Sequence, residues 1–191
     1  SVIPNFKKII VVVGYRGNKI VNLIKSLKSE IPIEFVRNKD YEKKGNAYSM
    51  YMGLMKTDAA DNVIIIDADL VYSNEVIINF VKDNNLDSIL VGEGTLDDIE
   101  CAKTIVDSHG YVRKTIDKRL VNNEELNKYI FVGEAIGMIK ISKNNKGNLI
   151  SDCDTFFDDP SNLILNWEHL MNIYFINNNM NYVVDKTNDW I

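Results

Sequence analysis

The chain is 191 residues long, 46% hydrophobic and 26% charged, with 3 Pro, 2 Cys and a formal net charge of -5. That size and balance fit one globular domain and exclude a disordered, collagenous or disulfide-stapled chain. The acidic balance argues against a nucleic-acid partner, the apolar runs are too short for a membrane span, Ser1 opens no signal peptide, and two distant cysteines suit a reducing cytoplasm.

Taken in order, the pattern alternates between strand and helix. Lys8 to Val13 is a continuous β-branched apolar run, as expected of a strand buried on both faces, and Gly14 ends it. Ile20, Val21, Ile24 and Leu27 then share one helical face, with Lys19, Lys25 and Lys28 opposite. Ile33 to Val36 predicts a second strand, Arg37 to Lys44 a polar loop, and Asn46 to Lys56 a helix. Val63 to Ile66 is a third apolar strand that runs directly into Asp67-Ala68-Asp69. Ser73 is placed to cap a helix that carries Glu75 in its first turn and turns Ile77, Ile78 and Val81 inward. Ser88 to Val91 predicts a fourth strand.

Beyond Gly94 the periodicity changes. Cys101 to Val106 and Tyr111 to Ile116 read as a hairpin turning at Ser108-His109-Gly110. Phe131 to Ile141 is a long strand-like run containing Gly133 and Gly137, Ser161 to Asn178 has helical spacing, and Tyr182 to Val184 is a last strand. With no linker or repeat, residues 1–191 predict a single α/β domain. Its sheet is expected to be Rossmann-like and mixed, mainly parallel, with helices on both faces and an antiparallel extension in the second half.

The strongest chemical candidates are Asp67 and Asp69. An apolar strand ending in two alternate carboxylates delivers hard oxygen ligands to a sheet edge, where α/β folds bind ligands, and that set suits Mg²⁺ or, in its place, Mn²⁺. The loop from Asn38 to Ser49 is the second candidate: Gly45 permits close backbone approach, Asn46 offers a donor and an acceptor, and Tyr48 and Ser49 open a helix whose amides favour anions. Glu134, between two glycines, could hold a cationic or hydroxyl-bearing group or pair with a lysine. Glu168 adjoins Trp167 on the late helix. His109 and His169 have no partner motif and read as structural.

Together these segments resemble the nucleotidyltransferase superfamily, and within it the branch of phosphocholine and phosphonate cytidylyltransferases. The resemblance rests on IIVVVGYRGNKI (9–20), NKDYEKKGNAYSMYMGL (38–54), VIIIDADLVYS (63–73), AKTIVDSHGYVRKTIDK (102–118) and VGEAIGMIKIS (132–142), five segments in the family's order. It implies Mg²⁺-dependent nucleotidyl transfer from a nucleoside triphosphate, CTP favoured, to a small phosphate or phosphonate such as phosphocholine, with release of pyrophosphate. By the same resemblance Asp69 is a catalytic metal ligand with Asp67 beside it, and Lys103 and Lys118 neutralise phosphate. Gly45, Asn46, Ser49 and Asp67 would bind the nucleotide, and Tyr48, Glu134 and Glu168 would line the acceptor pocket.

Two departures stand out. The family begins with a further strand and a Gly-rich loop around the triphosphate, whereas only Ser1 to Lys7 precede the first matching segment. The family's acidic motif, which supplies a second metal-binding aspartate, is not reached at Asp189-Trp190-Ile191. The expectation is an internal part of a longer enzyme, weakly active or inactive when isolated. The alternatives are a glycosyltransferase using paired aspartates and a nucleotide-sugar, or a nucleotide-binding domain without catalysis.

Overall fold

The computed structural model describes residues 6–190; Ser1 and Ile191, the two ends invoked above, lie outside the described residues. The chain is a mixed α/β fold in which a central sheet is flanked by helices. Its elements are β1 (Ile9–Val13), α1 (Gly17–Ser26), β2 (Ile33–Arg37), α2 (Asn46–Leu54), β3 (Val63–Ile66), α3 (Asn74–Lys82) and β4 (Ser88–Gly92). There follow β5 (Lys103–Val106), β6 (Val112–Ile116), α4 (Asn123–Lys128), β7 (Ile130–Ile141), α5 (Lys146–Phe157), a 3-10 turn (Pro160–Ile164), α6 (Trp167–Asn177) and β8 (Asn181–Val184). No helix among the described residues is long and apolar enough to cross a membrane.

Local chemistry explains most of these elements. Ser73 caps α3 by accepting from the Val76 amide at 3.3 Å, with Glu75 in the first turn. The β5–β6 hairpin turns where Gly110 adopts φ +82°, and Asp107 accepts from the amides of His109 and Tyr111 at 2.9 and 3.1 Å. Two helices were not foreseen. α5 carries Leu149, Cys153 and Phe156 on one buried face, a helical spacing interleaved with polar residues. α4 is short and rests on a capping box between Asn122 and Glu125. The helix expected from Ser161 to Asn178 is broken: Pro160 opens a 3-10 turn capped by Asp159, and Leu165 and Asn166 are extended before α6 begins.

The sheet corrects the expectation of a mainly parallel arrangement. β1 and β2 pair in parallel as a two-stranded sheet, and β4 pairs with β8 in parallel. The β3–β7, β4–β7, β5–β6 and β5–β7 pairings are all antiparallel. The cause is β7, whose 12 residues run through the middle of the larger sheet and separate β3 from β4. One edge of β7 is shared: β5 pairs with Ile130–Glu134 and β3 with Met138–Ile141. Residues 135–137 are left as a fork between the two.

The main core lies on one face of this sheet, where Leu54 of α2, Leu149 and Cys153 of α5, and Leu170, Tyr174 and Phe175 of α6 pack on Ile89, Ile139 and Ile141. A smaller cluster on the other face joins Val76 and Phe80 of α3 to Leu90, Ile136 and Met138. Helices therefore cover both faces, as expected. Among the described residues β1 pairs only with β2 and β3 only with β7, so each keeps one open edge. Their starts are linked by the Lys7–Asp61 ion pair, Asp61 lying just before β3, and Lys8 Nζ donates to the Lys56 carbonyl at 2.9 Å.

Glu125 is the best-connected carboxylate of the fold. It accepts from Arg119 at 2.6 and 2.8 Å, from Lys114 at 2.6 Å and from the Asn122 amide at 3.1 Å. The Arg119 guanidinium, foremost, holds its carboxyl down to about 2 from an ordinary 4.5. A depressed folded value means stability that is present above the ordinary range and lost as pH falls toward 2. Glu125→Gln is expected to cost about 2 kcal/mol at neutral pH, and the gap from wild type should close through that acid window. Urea denaturation at a series of pH values measures it; a pH-independent gap would contradict the assignment.

Candidate functional site

The site grows from the end of β3. Asp67 leaves the strand with its amide on the Gly137 carbonyl at 2.8 Å, at the fork where β3 and β5 part along β7. It therefore sits beside an antiparallel neighbour and an open edge, not at the rim of a parallel sheet as the sequence suggested. Gly137 makes the close approach possible: its φ is +67°, and a Cβ there would lie 2.7 Å from Leu70 Cδ1 and 3.0 Å from Asp67 Cβ. The following loop is tied down by Tyr72, whose hydroxyl donates to the Ile136 carbonyl at 2.7 Å.

Asp67 is half-buried, and Oδ2 accepts from the indole Nε1 of Trp167 at 2.9 Å. Burial pushes its carboxyl up; the indole N–H offsets part of that, and the neighbouring Asp69 charge adds to it. Asp69 is exposed, two residues on. Trp167 is itself buried at the N-terminus of α6, and its backbone amide donates to Asn46 Oδ1 at 2.8 Å. Asn46 thus ties the start of α2 to the start of α6.

Gly45 precedes it because nothing larger fits. A Cβ there would lie 2.5 Å from the Ile164 carbonyl oxygen and 2.6 Å from that of Leu165, and its amide donates to Leu163 at 2.7 Å. Gly45→Ala is expected to cost roughly 2 kcal/mol by forcing backbone apart, measured as a lowered urea midpoint. An unchanged midpoint would mean that the 3-10 turn yields freely. Ser49, one turn into α2, accepts from the buried Asn38 side chain at 3.1 Å, and Asn38 also donates to the Lys44 carbonyl at 3.3 Å. These bonds shape the Asn38–Asn46 loop from within.

Glu168 follows Trp167. It is half-buried and close to the carboxylates of Asp67 and Asp117, and its Oε2 is enclosed without a hydrogen-bond partner among the described residues. Burial, foremost, lifts its carboxyl to about 7, with Lys118 the one nearby charge that opposes the shift. Lys118 is exposed and held at φ +51°, a left-handed conformation unusual for a side-chain-bearing residue.

Asp67, Asn46 and Glu168 are therefore brought together around Trp167, with Asp69 beside Asp67 and Lys118 beside Glu168. The other sequence candidates are placed elsewhere. Lys103 is fully buried, its ammonium on the carbonyls of Asp98 and of Cys101, the latter at 2.9 Å. It anchors the loop before β5, with no exposed surface to offer a phosphate. Glu134 lies opposite it across the β5–β7 pairing, beside Cys101 and under Gly94, with its carboxyl raised by burial. Tyr48 turns away toward α5, its ring edge-on to Phe157 at 5.2 Å and beneath the Lys44 ammonium at 4.2 Å. The residue that sequence reading missed is Trp167 as the holder of Asp67, a contact spanning 100 positions. The available signal was Asn166, an N-cap residue type that divides the late helix.

Comparison with known proteins bears on the fold. Residues 2–95, from before β1 to just beyond β4, match a family described as Domain of unknown function (DUF6564). No curated protein matches the chain. Among solved structures, CTP:phosphocholine cytidylyltransferase from Streptococcus pneumoniae is 17% identical with a TM-score of 0.69, over 97% of this chain and 72% of its own. The inositol-1-phosphate CTP transferase from T. maritima is 16% identical with a TM-score of 0.65, over 93% of this chain and 65% of its own. A UDP-glucose pyrophosphorylase complexed with UDP-glucose is 14% identical with a TM-score of 0.65, over 93% and 72%. The chain has the fold of these nucleotidyltransferases and spans about two thirds to three quarters of their length.

Proposed function

We propose, from the fold shared with nucleotidyltransferases, that this chain carries the nucleotide- and acceptor-binding face of an enzyme transferring a nucleotidyl group to a small phosphorylated acceptor. The observation that carries the reading is Asp67 at the sheet fork, fixed by Trp167 with Asp69 free beside it. The reaction is attack of an acceptor phosphate or phosphonate oxygen on the α-phosphorus of a nucleoside triphosphate. A new P–O bond forms as the bond to the β-phosphate oxygen breaks, and pyrophosphate leaves.

The donor set suits a divalent ion held jointly with substrate. Among the described residues no group of three or more His, Cys, Asp or Glu side chains could cage a metal. Two carboxylates plus phosphate oxygens and waters are what Mg²⁺ ordinarily takes. Asp69 and the remaining oxygen of Asp67 would hold it; when bound, Mg²⁺ or Mn²⁺ would neutralise charge developing on the phosphates. The rest falls to the chain itself. Trp167 orients Asp67, Lys118 faces the phosphates, and the loop built by Gly45, Asn46 and Ser49 presents backbone to the base, CTP being favoured.

A second reading is nucleotide binding without transfer. The deciding measurement is Mg²⁺-dependent pyrophosphate release from each of the four nucleoside triphosphates, with phosphocholine, 2-aminoethylphosphonate and sugar 1-phosphates as acceptors. Release with one nucleotide supports transfer and names the base. Binding without release supports the second reading, and neither binding nor release rejects both.

A further inference from the structure

The loop that presents Asp69 is fastened to β7 at both of its ends. At the first, the Asp67 amide donates to the Gly137 carbonyl at 2.8 Å; at the second, the Tyr72 hydroxyl donates to the Ile136 carbonyl at 2.7 Å. We infer that Tyr72 is a positioning residue for metal binding, holding this loop so that the Asp69 carboxylate is already placed when a metal–nucleotide complex arrives. The inference rests on the transfer reading above and adds to it a residue outside the carboxylate pair.

Ile136 needs this donor. β5 pairs with β7 as far as Glu134, β3 begins at Met138, and the register with β4 passes from Ala135 directly to Ile139. Ile136 therefore has no partner in any ladder, and it is 1% exposed. A buried carbonyl left bare is costly. The phenol reaching back from the loop supplies the missing bond, so docking the loop and satisfying the sheet are the same step.

The fit around that bond is close. Three residues of the loop converge on Gly137, where a Cβ would meet Leu70 Cδ1 at 2.7 Å, the Tyr72 hydroxyl at 2.8 Å and Asp67 Cβ at 3.0 Å. Tyr72 is also held from its other side, by an antiparallel bridge to Trp190 and by the Ser73 amide on the Asp189 carbonyl at 3.0 Å. Between these fixed points Ala68, Asp69 and Val71 are exposed. Order at Asp69 thus comes from its flanks. Among the described residues from Ala68 to Tyr72, the side-chain hydrogen bond to the sheet is that of Tyr72.

The phenol is also near the charges it would serve. Burial, foremost, and then the carboxylates of Asp67 and Asp69 hold its proton on well above the ordinary phenol range. It therefore stays a donor at neutral pH, and because its proton goes to Ile136 it is not itself a metal ligand. A ligand carboxylate ordered beforehand binds more tightly, since less freedom is lost on binding.

The test is titration calorimetry of the full chain with CTP, in Mg²⁺ and again in EDTA, for wild type, Tyr72→Phe, Asp69→Asn and the double variant. Tyr72→Phe keeps the ring in the smaller core cluster, and circular dichroism checks the fold. It is expected to lower the Mg²⁺ enhancement of affinity roughly tenfold or more. In the Asp69→Asn background it should lower the enhancement no further, because Tyr72 acts through Asp69. Leu70→Ala loosens the same loop without baring a carbonyl and serves as the probe if Tyr72→Phe does not fold. Undiminished enhancement in the variant that folds would overturn this inference alone. An equal loss in both backgrounds would do the same, since it marks a merely structural role. CTP binding that is absent or indifferent to Mg²⁺ in wild type would sink the transfer reading, and this inference with it.

Discussion

Asp69→Asn is expected to lower metal-dependent nucleotidyl transfer by roughly 10²- to 10³-fold while leaving the melting temperature unchanged. Asp69 is exposed, and no side-chain hydrogen bond or ion pair ties it to the rest of the described residues. Its charge can therefore be removed isosterically without disturbing the packing. The same is not true of Asp67, which is bonded to Trp167, so variants there mix two effects. The experiment pairs pyrophosphate release with a titration of nucleotide affinity against Mg²⁺ and Mn²⁺, since the second readout survives even where turnover is slow. Unchanged turnover together with unchanged metal-dependent affinity would remove Asp69 from the metal assignment.

The second large effect concerns Trp167, 4% exposed at the junction of α2, α6 and the β3 end. Trp167→Ala is expected to cost about 3–5 kcal/mol through the cavity left in the main core. Trp167→Phe separates packing from polarity: it keeps most of the apolar volume and deletes the one N–H that stabilises the Asp67 carboxylate, at roughly 1–3 kcal/mol. The pH dependence has a definite sign. Burial already raises the Asp67 carboxyl, so in the folded state it holds its proton longer than when unfolded, and stability declines as pH rises through that window. Without the indole donor the carboxyl rises further and the decline deepens. The gap between wild type and Trp167→Phe should thus be small in strong acid, where both states are protonated, and widen toward neutrality. Denaturation curves across that range decide it, and a gap independent of pH would show that the indole contributes by packing alone.

Much of the fold was legible because local periodicity encodes it. The β-branched runs of β1 and β3, the Ser73 cap and the hairpin at Gly110 each follow from a few adjacent residues. α5 was also encoded, in the spacing of Leu149, Cys153 and Phe156, but its polar residues hid the stripe. The order of the strands was not. Runs as apolar as β3 and β4 suit a buried parallel sheet, and nothing local announces that β7 will lie between them and reverse the pairing. The apolar stripe of α1 shows the same limit: it reads as a core-facing helix, yet Ile20 and Leu27 of that stripe are 40% and 70% exposed.

The site divides along the same line. The sequence by itself determined that an apolar strand ends in Asp67 and Asp69, that a loop with Gly45 and Asn46 opens a helix, and that Glu168 begins a late one. These are properties of neighbouring residues, fixed by backbone propensity and side-chain period. Only the tertiary structure decided that Trp167 grips Asp67, that Asn46 caps the start of α6, that Lys103 is buried on carbonyls and that Tyr48 faces α5. Those outcomes depend on which elements the sheet brings together. For Trp167, Asn46 and Tyr48 that choice is made by packing across distances of about 100 residues, for which the chain carries no local mark, whereas Lys103 reaches carbonyls close by in sequence and only its burial is set by the sheet.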